Sequence, residues 1–296
     1  MEKPRILHFI TPLRHMSPFD VNMAADAGFT VAGYTSVEPG EMAALTQDAM
    51  FSRAPQDAAK TVLFVGGRDA MAALDMGKAA KQVMFPPFQV SVFIDPSGAF
   101  TTAAAMVAVA EKHLKKQGGS LEGAKVAVYG AKGVVAGVVG IIAAEAGAEV
   151  TLIGYDKTDV VPKKVADFTK RFGKPFVAGD GSTEAGRRAA LAEADLVLVS
   201  AKAGVQVLSK EDLTYAKRLK VAADVNAVPP PGIEGLEPKA DGAPIGDGAV
   251  GAGALAVGNI KFRVQHGLLK RLYAAEKALF LDFRDAFALA RELVGG

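Results

Sequence analysis

A glycine turn near the middle of the chain has the residue pattern that a dinucleotide pyrophosphate requires. The segment Lys125–Gly137 runs from a β-branched strand through a glycine turn into the start of a helix. Glycines let the backbone approach phosphates, and a helix N-terminus favours an anion. Ala131 and Ala136 depart from the strict G-x-G-x-x-G pattern, so the motif by itself also fits an ordinary glycine turn. The candidate phosphate-binding residues are Gly130, Ala131, Lys132, Gly133 and Val134.

A second strand pattern, Val150–Ile153, ends where a dinucleotide site usually meets the adenosine ribose. Asp156 could accept hydrogen bonds from both ribose hydroxyls and so favour NAD. Lys157 could instead tolerate the additional phosphate of NADP, and Tyr155 lies beside both residues. We expect use of both cofactors, with NAD favoured. The alternative is a surface Asp–Lys pair in a turn without a ligand.

Two later strand ends offer groups for a nicotinamide ring. Ser200 and Ala201 follow the pattern Leu196–Val199, and their small side chains leave room for a ring. Asn226 follows Val221–Ala223, and its amide could bond the carboxamide or the ribose of the cofactor. Ordinary turn chemistry explains both segments equally well.

The first third of the chain has two carboxylates at the starts of predicted helices. Asp95 follows an apolar strand and could anchor the amide and amine edge of a heterocycle. It could equally form an Asx turn, with Thr101 as a helix cap. Asp20 follows Ser17 and Pro18, which read as the N-cap and the first residue of a helix, so it needs no ligand to explain it.

The remaining candidates are cationic or imidazole side chains. Lys261 begins a predicted helix and could bring one cation to a cleft, although most such lysines are only solvated. His15 could touch a substrate from a loop. The four histidines have unrelated spacings and there is no cysteine, so neither a zinc site nor a Ser-His-Asp arrangement is indicated. Redox chemistry would therefore require a bound organic cofactor.

Alternating strand and helix patterns must position these residues. Four strands and four helices alternate in the first series, and four further strands follow in the second. The first-series strands are Ile6–Ile10, Thr30–Tyr34, Thr61–Val65 and Val90–Ile94, and the helices are Pro18–Ala27, Glu41–Gln47, Ala70–Val83 and Thr101–Lys115. The second-series strands are Val126–Tyr129, Val150–Ile153, Leu196–Val199 and Val221–Ala223. The predicted fold class is α/β, with two α/β domains built on parallel sheets, the second Rossmann-type, and a cleft between them.

The glycine-rich segment Gln117–Ser120 predicts a hinge between the domains. The predicted bounds are residues 1–118 plus 276–296 for one domain and 119–275 for the other, dinucleotide-binding one. Residues 229–258 are rich in Pro and Gly and predict long loops, followed by helices at Ile260–Ala275 and Leu279–Val294.

Charge and hydropathy exclude several classes of protein. Basic and acidic residues number 34 and 32, which disfavours a nucleic-acid partner because phosphate binding needs a concentrated basic face. The longest apolar stretch, Val134–Ala144, is too short for a membrane span, and the N-terminus does not read as a secretory leader. We expect a cytoplasmic protein with no membrane partner.

Five separated blocks together resemble a known family. They are Thr11–Met23, Phe51–Asp57, Asp95–Ala103, Asp224–Pro230 and Gly253–Lys261. These blocks are similar to those of the NAD(P)-dependent methylenetetrahydromethanopterin dehydrogenases of methylotrophic bacteria, most of all the B-type enzyme. The resemblance spans almost the whole chain.

The resemblance implies a hydride transfer from methylenetetrahydromethanopterin to NAD(P), giving the methenyl cation in one-carbon oxidation. It implies that Asp20, Asp95 and Lys261 line the pterin site, with a positioning or a proton-transfer role left open for Lys261. The other substrate-binding candidates near these blocks are His15, Ser97, Thr101 and Thr102. No general base is obligatory, because two nitrogen lone pairs stabilise the cation. The resemblance also suggests a homo-oligomer, a trimer or a hexamer.

One position departs from the strictly NADP-dependent relatives, which carry an Arg where this chain has Tyr155. Loss of that guanidinium supports use of NAD. Two alternatives remain at this level. One is a dehydrogenase acting on methylene-tetrahydrofolate, and the other is a dinucleotide-sensing module without turnover.

Overall fold

The strands form two separate sheets in the computed structural model, which describes residues 3–156 and 159–295. The first five strands are β1 Ile6–Ile10, β2 Thr30–Tyr34, β3 Thr61–Val65, β4 Ser91–Ile94 and β5 Lys125–Tyr129. They are followed by β6 Glu149–Gly154, β7 Phe176–Asp180, β8 Leu196–Val199, β9 Val221–Asp224, β10 Asp241–Pro244, β11 Val250–Ala252 and β12 Phe280–Leu281.

The α-helices alternate with these strands along the chain. The helices of the first series are α1 Pro18–Asp26, α2 Met42–Phe51, α3 Ala70–Val83 and α4 Ala99–Lys116. The later ones are α5 Val134–Glu145, α6 Val160–Phe172, α7 Glu184–Glu193, α8 Lys210–Leu213, α9 Ala254–Ala274 and α10 Phe283–Gly295. Strand, helix, strand order with short turns is what produces a parallel sheet covered by helices.

Two compact units divide the chain. One contains residues up to 101 together with 262–289, and the other contains residues 102–261 together with those from 290 onward. These bounds differ from the sequence-based ones because α4 and α9 are continuous helices that contain the unit boundaries. The assignment of the chain to functional domains therefore stays a proposal.

The first unit is built on a five-stranded sheet in the order β12-β4-β3-β1-β2, and every neighbouring pair is parallel. Strands β3 and β4 are buried along their whole length, as expected for apolar runs covered on both faces. Phe64 packs between Phe9 and Phe93, with ring centroids 4.8 and 5.3 Å apart. The carboxyl ends of β1, β3 and β4 thus lie side by side over a rigid core.

The second unit is built on a seven-stranded sheet in the order β10-β11-β9-β8-β5-β6-β7. All pairs are parallel except β10 with β11, which form an antiparallel edge. The chain leaves β5 toward β6 and β7 and later returns to add β8 on the other side of β5. This reversal is the switch point of a Rossmann-type sheet, where dinucleotides bind beyond the carboxyl ends of the strands. The predicted fold class is confirmed.

Two predictions about the last third of the chain were wrong. Residues 229–258 contain β10, β11 and the start of α9 at Ala254 instead of only loops. The two strands are three and four residues long and consist largely of Gly, Ala and Pro, so they have no readable alternation. The stretch predicted as helix from Leu279 begins instead with β12, and the helix starts at Phe283.

No described helix is long and apolar enough to cross a membrane.

Candidate functional site

The glycine turn after β5 lies at the switch point of the second sheet. Gly130 has a φ of +89°, and its N–H and that of Ala131 both donate to the carbonyl of Ile153 at 3.1 Å. The N–H of Gly133 donates to Gly130 at 2.8 Å and closes the turn. A Cβ added at position 130 would collide with the carbonyl oxygen of Ser200. Only glycine fits here, because the turns after β5 and β8 are in contact.

Helix α5 begins directly at this turn, with Gly133 as its N-cap in an extended conformation. Within the described chain no side-chain hydrogen bond caps the helix at Gly133, and uncapped N–H groups at a helix start are the kind that bind an anion. The rest of α5 is buried and apolar. The predicted phosphate-binding residues 130–134 therefore form one continuous strand, turn and helix start.

An ion pair lies at the adenosine end of the candidate cofactor site. The Lys132 ammonium is 2.6 Å from an oxygen of Asp156, and both side chains are partly exposed. The hydroxyl of Tyr155 lies 3.5 Å from the backbone nitrogen of Lys202, in the turn after β8. Lys157 lies outside the described residues. The structure therefore pairs the predicted ribose acceptor with a lysine of the glycine turn.

The amide of Asn226 holds together the loops that follow β8 and β9. Its Oδ1 accepts from the N–H of Gly204 at 3.2 Å and of Val228 at 3.0 Å. Its Nδ2 donates to the carbonyl of Pro230 at 3.0 Å. These bonds supply the turn chemistry named as the alternative, and a contact between Asn226 and a cofactor stays a prediction.

Asp224, which was not a candidate in the sequence, organises the same loop. Its buried carboxylate accepts from the N–H groups of Asn226 at 2.9 Å and Gly232 at 2.7 Å. Burial raises the pKa of this carboxyl, and the backbone donors oppose that shift. The position directly after an apolar strand was the only available signal, and it is shared by many turn-forming aspartates.

Lys164 in α6 was also missed. Its ammonium donates to the carbonyl oxygens of Ala131 at 2.8 Å and of Lys132 and Gly133 at 3.1 Å each. One ammonium group of α6 therefore bonds three successive carbonyl groups of the glycine turn. Nothing in the sequence distinguishes this lysine from the others on an amphipathic helix.

In the first unit, Asp95 is fully buried and caps α4. Its Oδ1 accepts from the N–H of Phe100 at 2.9 Å, and its Oδ2 accepts from the Thr101 hydroxyl at 2.8 Å. Next to it, Ser97 has a φ of +53° and donates to the carbonyl of Gly67 at 2.6 Å. A left-handed serine is uncommon, and such backbone positions concentrate at ligand sites. Thr102 is half-buried in the first turns of α4.

Asp20 lies buried at the start of α1. Ser17 caps this helix by accepting from the Asp20 N–H at 3.3 Å, and Pro18 is its first residue, as predicted. The Asp20 carboxylate also accepts from the side-chain amide of Gln265 in α9 at 2.6 Å. Gln265 is fully buried and was missed, because the sequence separates the partners by most of the chain. His15 is exposed on the loop before α1.

Lys261 is half-buried in α9 and belongs to the second unit, whereas Asp20 and Asp95 belong to the first. Within the part of the chain that the structure describes, no group of three or more His, Asp or Glu side chains could hold a metal ion.

Comparison with known sequences identifies the family. The sequence model for the N-terminal part of methylene-tetrahydromethanopterin dehydrogenase matches residues 18–97. The chain is also 48% identical over 293 residues to the NAD(P)-dependent methylenetetrahydromethanopterin dehydrogenase of Methylorubrum extorquens strain AM1, which covers 98% of this chain and 99% of that protein. The chain belongs to the methylenetetrahydromethanopterin dehydrogenase family. A second relative, the bifunctional protein MdtA of the same Methylorubrum extorquens strain, is 34% identical to this chain over 94% of both chains.

Solved structures of other enzymes have a similar fold. Ornithine carbamoyltransferase from Pyrococcus furiosus superposes with a TM-score of 0.54 over 90% of this chain and 84% of that one, at 15% identity. Shikimate 5-dehydrogenase from Listeria monocytogenes, solved with shikimate and NAD, superposes with a TM-score of 0.51 over 98% of this chain and 96% of that one, also at 15% identity. At this level of identity the likeness concerns the fold alone.

Proposed function

We propose that this protein oxidises methylenetetrahydromethanopterin to the methenyl form, with NAD or NADP as the hydride acceptor. The observation that carries the proposal is the glycine turn at 130–133, where Gly130 lets the turns after β5 and β8 come into contact and α5 begins directly after the turn. It lies at the switch point of a sheet in a chain that is 48% identical to an NAD(P)-dependent enzyme for this substrate.

The residues of the second unit fit a nicotinamide dinucleotide. Residues 130–134 present backbone N–H groups for the pyrophosphate, and Tyr155 and Asp156 stand at the end of β6, where the adenosine ribose binds. Ser200, Ala201 and Asn226 would border the nicotinamide, which supplies the carbon that accepts hydride. These assignments rest on Rossmann-type geometry and on the chemistry of the donors.

The substrate would be held by side chains that follow the strands of the first sheet, by Thr102 of α4 and by Lys261 of α9. Those side chains are His15, Asp20, Asp95, Ser97, Thr101, Thr102 and Lys261. Two carboxylates favour the positive charge that develops as hydride leaves a carbon between two nitrogens. The lone pairs of those nitrogens make a general base unnecessary. The protein's task is to orient both ligands and exclude water, and we assign Lys261 the positioning of a substrate heteroatom.

The ion pair between Lys132 and Asp156 supports use of both cofactors. An unpaired carboxylate would bind the ribose hydroxyls of NAD and repel the additional phosphate of NADP. With the Lys132 ammonium 2.6 Å from Asp156, that repulsion is reduced. We therefore propose that both cofactors are accepted and that NAD is favoured, since Tyr155 supplies no guanidinium for the phosphate.

The proposal extends to the state of the protein in the cell. We propose a cytoplasmic homo-oligomer, a trimer or a hexamer, that has no nucleic-acid or membrane partner. Light scattering of the purified protein in solution measures its mass directly, and a monomer would contradict the oligomer.

A direct spectrophotometric assay tests the activity. Purified protein is mixed with methylenetetrahydromethanopterin and either cofactor, and the absorbance of the reduced nicotinamide is followed. We expect reduction with both cofactors and a higher kcat/KM with NAD. Equal rates with methylene-tetrahydrofolate would overturn the substrate assignment. Cofactor binding without any reduction would favour the alternative of a dinucleotide-sensing module.

A further inference from the structure

Lys164 of helix α6 is attached to the glycine turn by three hydrogen bonds from a single ammonium group. Its Nζ lies 2.8 Å from the carbonyl oxygen of Ala131 and 3.1 Å from those of Lys132 and Gly133. Hydrogen bonds from a charged donor are stronger than neutral ones. Three consecutive peptide carbonyls of the turn are therefore oriented toward one point.

This orientation also sets the direction of the N–H groups. In a planar trans peptide the carbonyl and the following N–H point in opposite directions. With the carbonyls of residues 131–133 directed at the ammonium, the N–H groups of Lys132, Gly133 and Val134 are directed away from it. The N–H of Gly133 closes the turn on Gly130 at 2.8 Å. The N–H groups of Lys132 and Val134 face the side on which an anion would approach the start of α5.

The chain leaves space for this side chain. At Gly137, one turn into α5, an added Cβ would lie 3.1 Å from the ring of Phe168 and 3.5 Å from Lys164 Nζ. Lys164 and Phe168 are one turn apart in α6, and the ammonium lies 5.8 Å from the ring centroid. The close approach of α5 and α6 at Gly137 keeps the lysine stem in place behind the turn.

We propose that Lys164 is a positioning residue for the cofactor. From the side opposite the ligand, Lys164 fixes the glycine turn in the conformation that binds the pyrophosphate. This inference rests on the proposed function, because it concerns the same dinucleotide site. The cation acts through the backbone: it fixes the peptide orientations before the ligand arrives, so less conformational freedom is lost on binding. Its positive charge also favours the diphosphate.

The test is direct binding of NADH and of ADP-ribose, measured by calorimetry, to the full-length protein and to Lys164→Met. We expect Lys164→Met to weaken binding of both ligands about tenfold, equivalent to about 1.4 kcal/mol. The KM for the cofactor should rise in proportion, while kcat at saturating cofactor and the KM for the pterin stay close to wild type. Lys164→Arg, which keeps the cation, should recover part of the affinity.

Lys163→Met is the matched control. Lys163 is the neighbouring lysine of α6, is exposed, and pairs with Asp159 away from the turn. This variant should bind both ligands as the wild type does. The amide resonances of Gly133 and Val134, followed by NMR in the free protein, should shift in Lys164→Met and not in the control.

The outcomes separate two failures. If wild-type protein binds neither ligand, the proposed function fails. If wild type binds and a folded Lys164→Met binds equally well, the inference about Lys164 is overturned while the function stands. Should Lys164→Met fail to fold, Lys164→Gln replaces the ammonium with a neutral amide donor. We then expect Lys164→Gln to bind both ligands more weakly than wild type, and equal affinity would again overturn the inference.

Discussion

The carboxylate of Asp95 has a structural role, and we propose a second role in substrate binding that one substitution could not separate from the first. It caps α4 through the Phe100 N–H and the Thr101 hydroxyl, and we propose that it also orients the pterin. We expect Asp95→Asn to keep the backbone bond at Oδ1, to remain folded, and to lose about 100-fold in kcat, a magnitude typical of a lost electrostatic stabiliser. Asp95→Ala should lose activity and also about 1 kcal/mol or more of stability, because the cap disappears.

Steady-state kinetics and thermal melts on the two Asp95 variants check this expectation. Thr46→Val provides the control, since it removes another buried hydroxyl of the first unit, in α2, and leaves Asp95 and its partners unchanged. A folded Asp95→Asn with wild-type kcat would leave Asp95 only its structural role.

We also expect cofactor preference to depend on single residues. We expect Tyr155→Arg to raise kcat/KM for NADP relative to NAD about tenfold, because a guanidinium binds a phosphate bidentately. Lys132→Met should shift the ratio the other way, because it leaves the Asp156 carboxylate unpaired. The ratio is measured with both cofactors under the same ionic strength. An unchanged ratio in both variants would mean that another segment binds the ribose.

At the scale of elements, strand β10 is attached to α4 by a histidine. His113 Nε2 lies 2.6 Å from an Asp241 oxygen, and Lys112 bonds the same carboxylate at 2.7 Å. Burial lowers the pKa of His113, the hydrogen bond to Asp241 opposes this shift, and the nearby Lys112 charge adds to it. Folding therefore favours the neutral imidazole over the protonated one.

This pKa shift predicts a pH-dependent stability. The folded pKa of His113 is below the unfolded value of 6.5, so the unfolded chain binds the proton more readily. The stabilisation is complete above pH 6.5 and decreases as the pH falls below it. We expect His113→Gln to reduce the decrease in melting temperature as the pH falls below 6.5. An identical slope for wild type and His113→Gln would contradict this attribution.

At the scale of the whole molecule, the far end of the chain completes the first sheet. Leu279 accepts from the Val92 N–H at 2.8 Å and donates to the Ser91 hydroxyl at 3.1 Å. Phe283 then packs edge to face on Phe100, with centroids 5.5 Å apart. The sheet therefore lacks an edge strand until residues 280–281 have been synthesised.

We expect a chain that ends at residue 278 to aggregate or unfold, because β4 would become an exposed apolar edge. Phe283→Ala should fold with a loss of about 3 kcal/mol, typical of a deleted core aromatic. Removal of residues 295–296 alone is the control and should leave the melting temperature unchanged. A soluble, cooperatively folding chain that ends at 278 would refute the structural role of this segment.

Much of this protein could be predicted from local sequence. The strands β1, β2, β3 and β8 have the predicted bounds, and the glycine turn was placed correctly between β5 and α5. Periodicity, β-branching and turn glycines are local signals, so these features need no knowledge of distant residues. The five family blocks could also be recognised in the sequence, and comparison with relatives confirmed the family.

Only the tertiary structure decided which side chains meet. Lys164 reaches the glycine turn from another helix, and Gln265 bonds Asp20 across most of the chain. Asp224 accepts a hydrogen bond from a backbone N–H eight residues further along the chain. Hydrogen bonds of this kind depend on packing directions that no periodic pattern encodes. The short strands β10 and β11 belong to the same class, because neighbouring strands, and not their own Gly and Ala residues, hold them in the sheet.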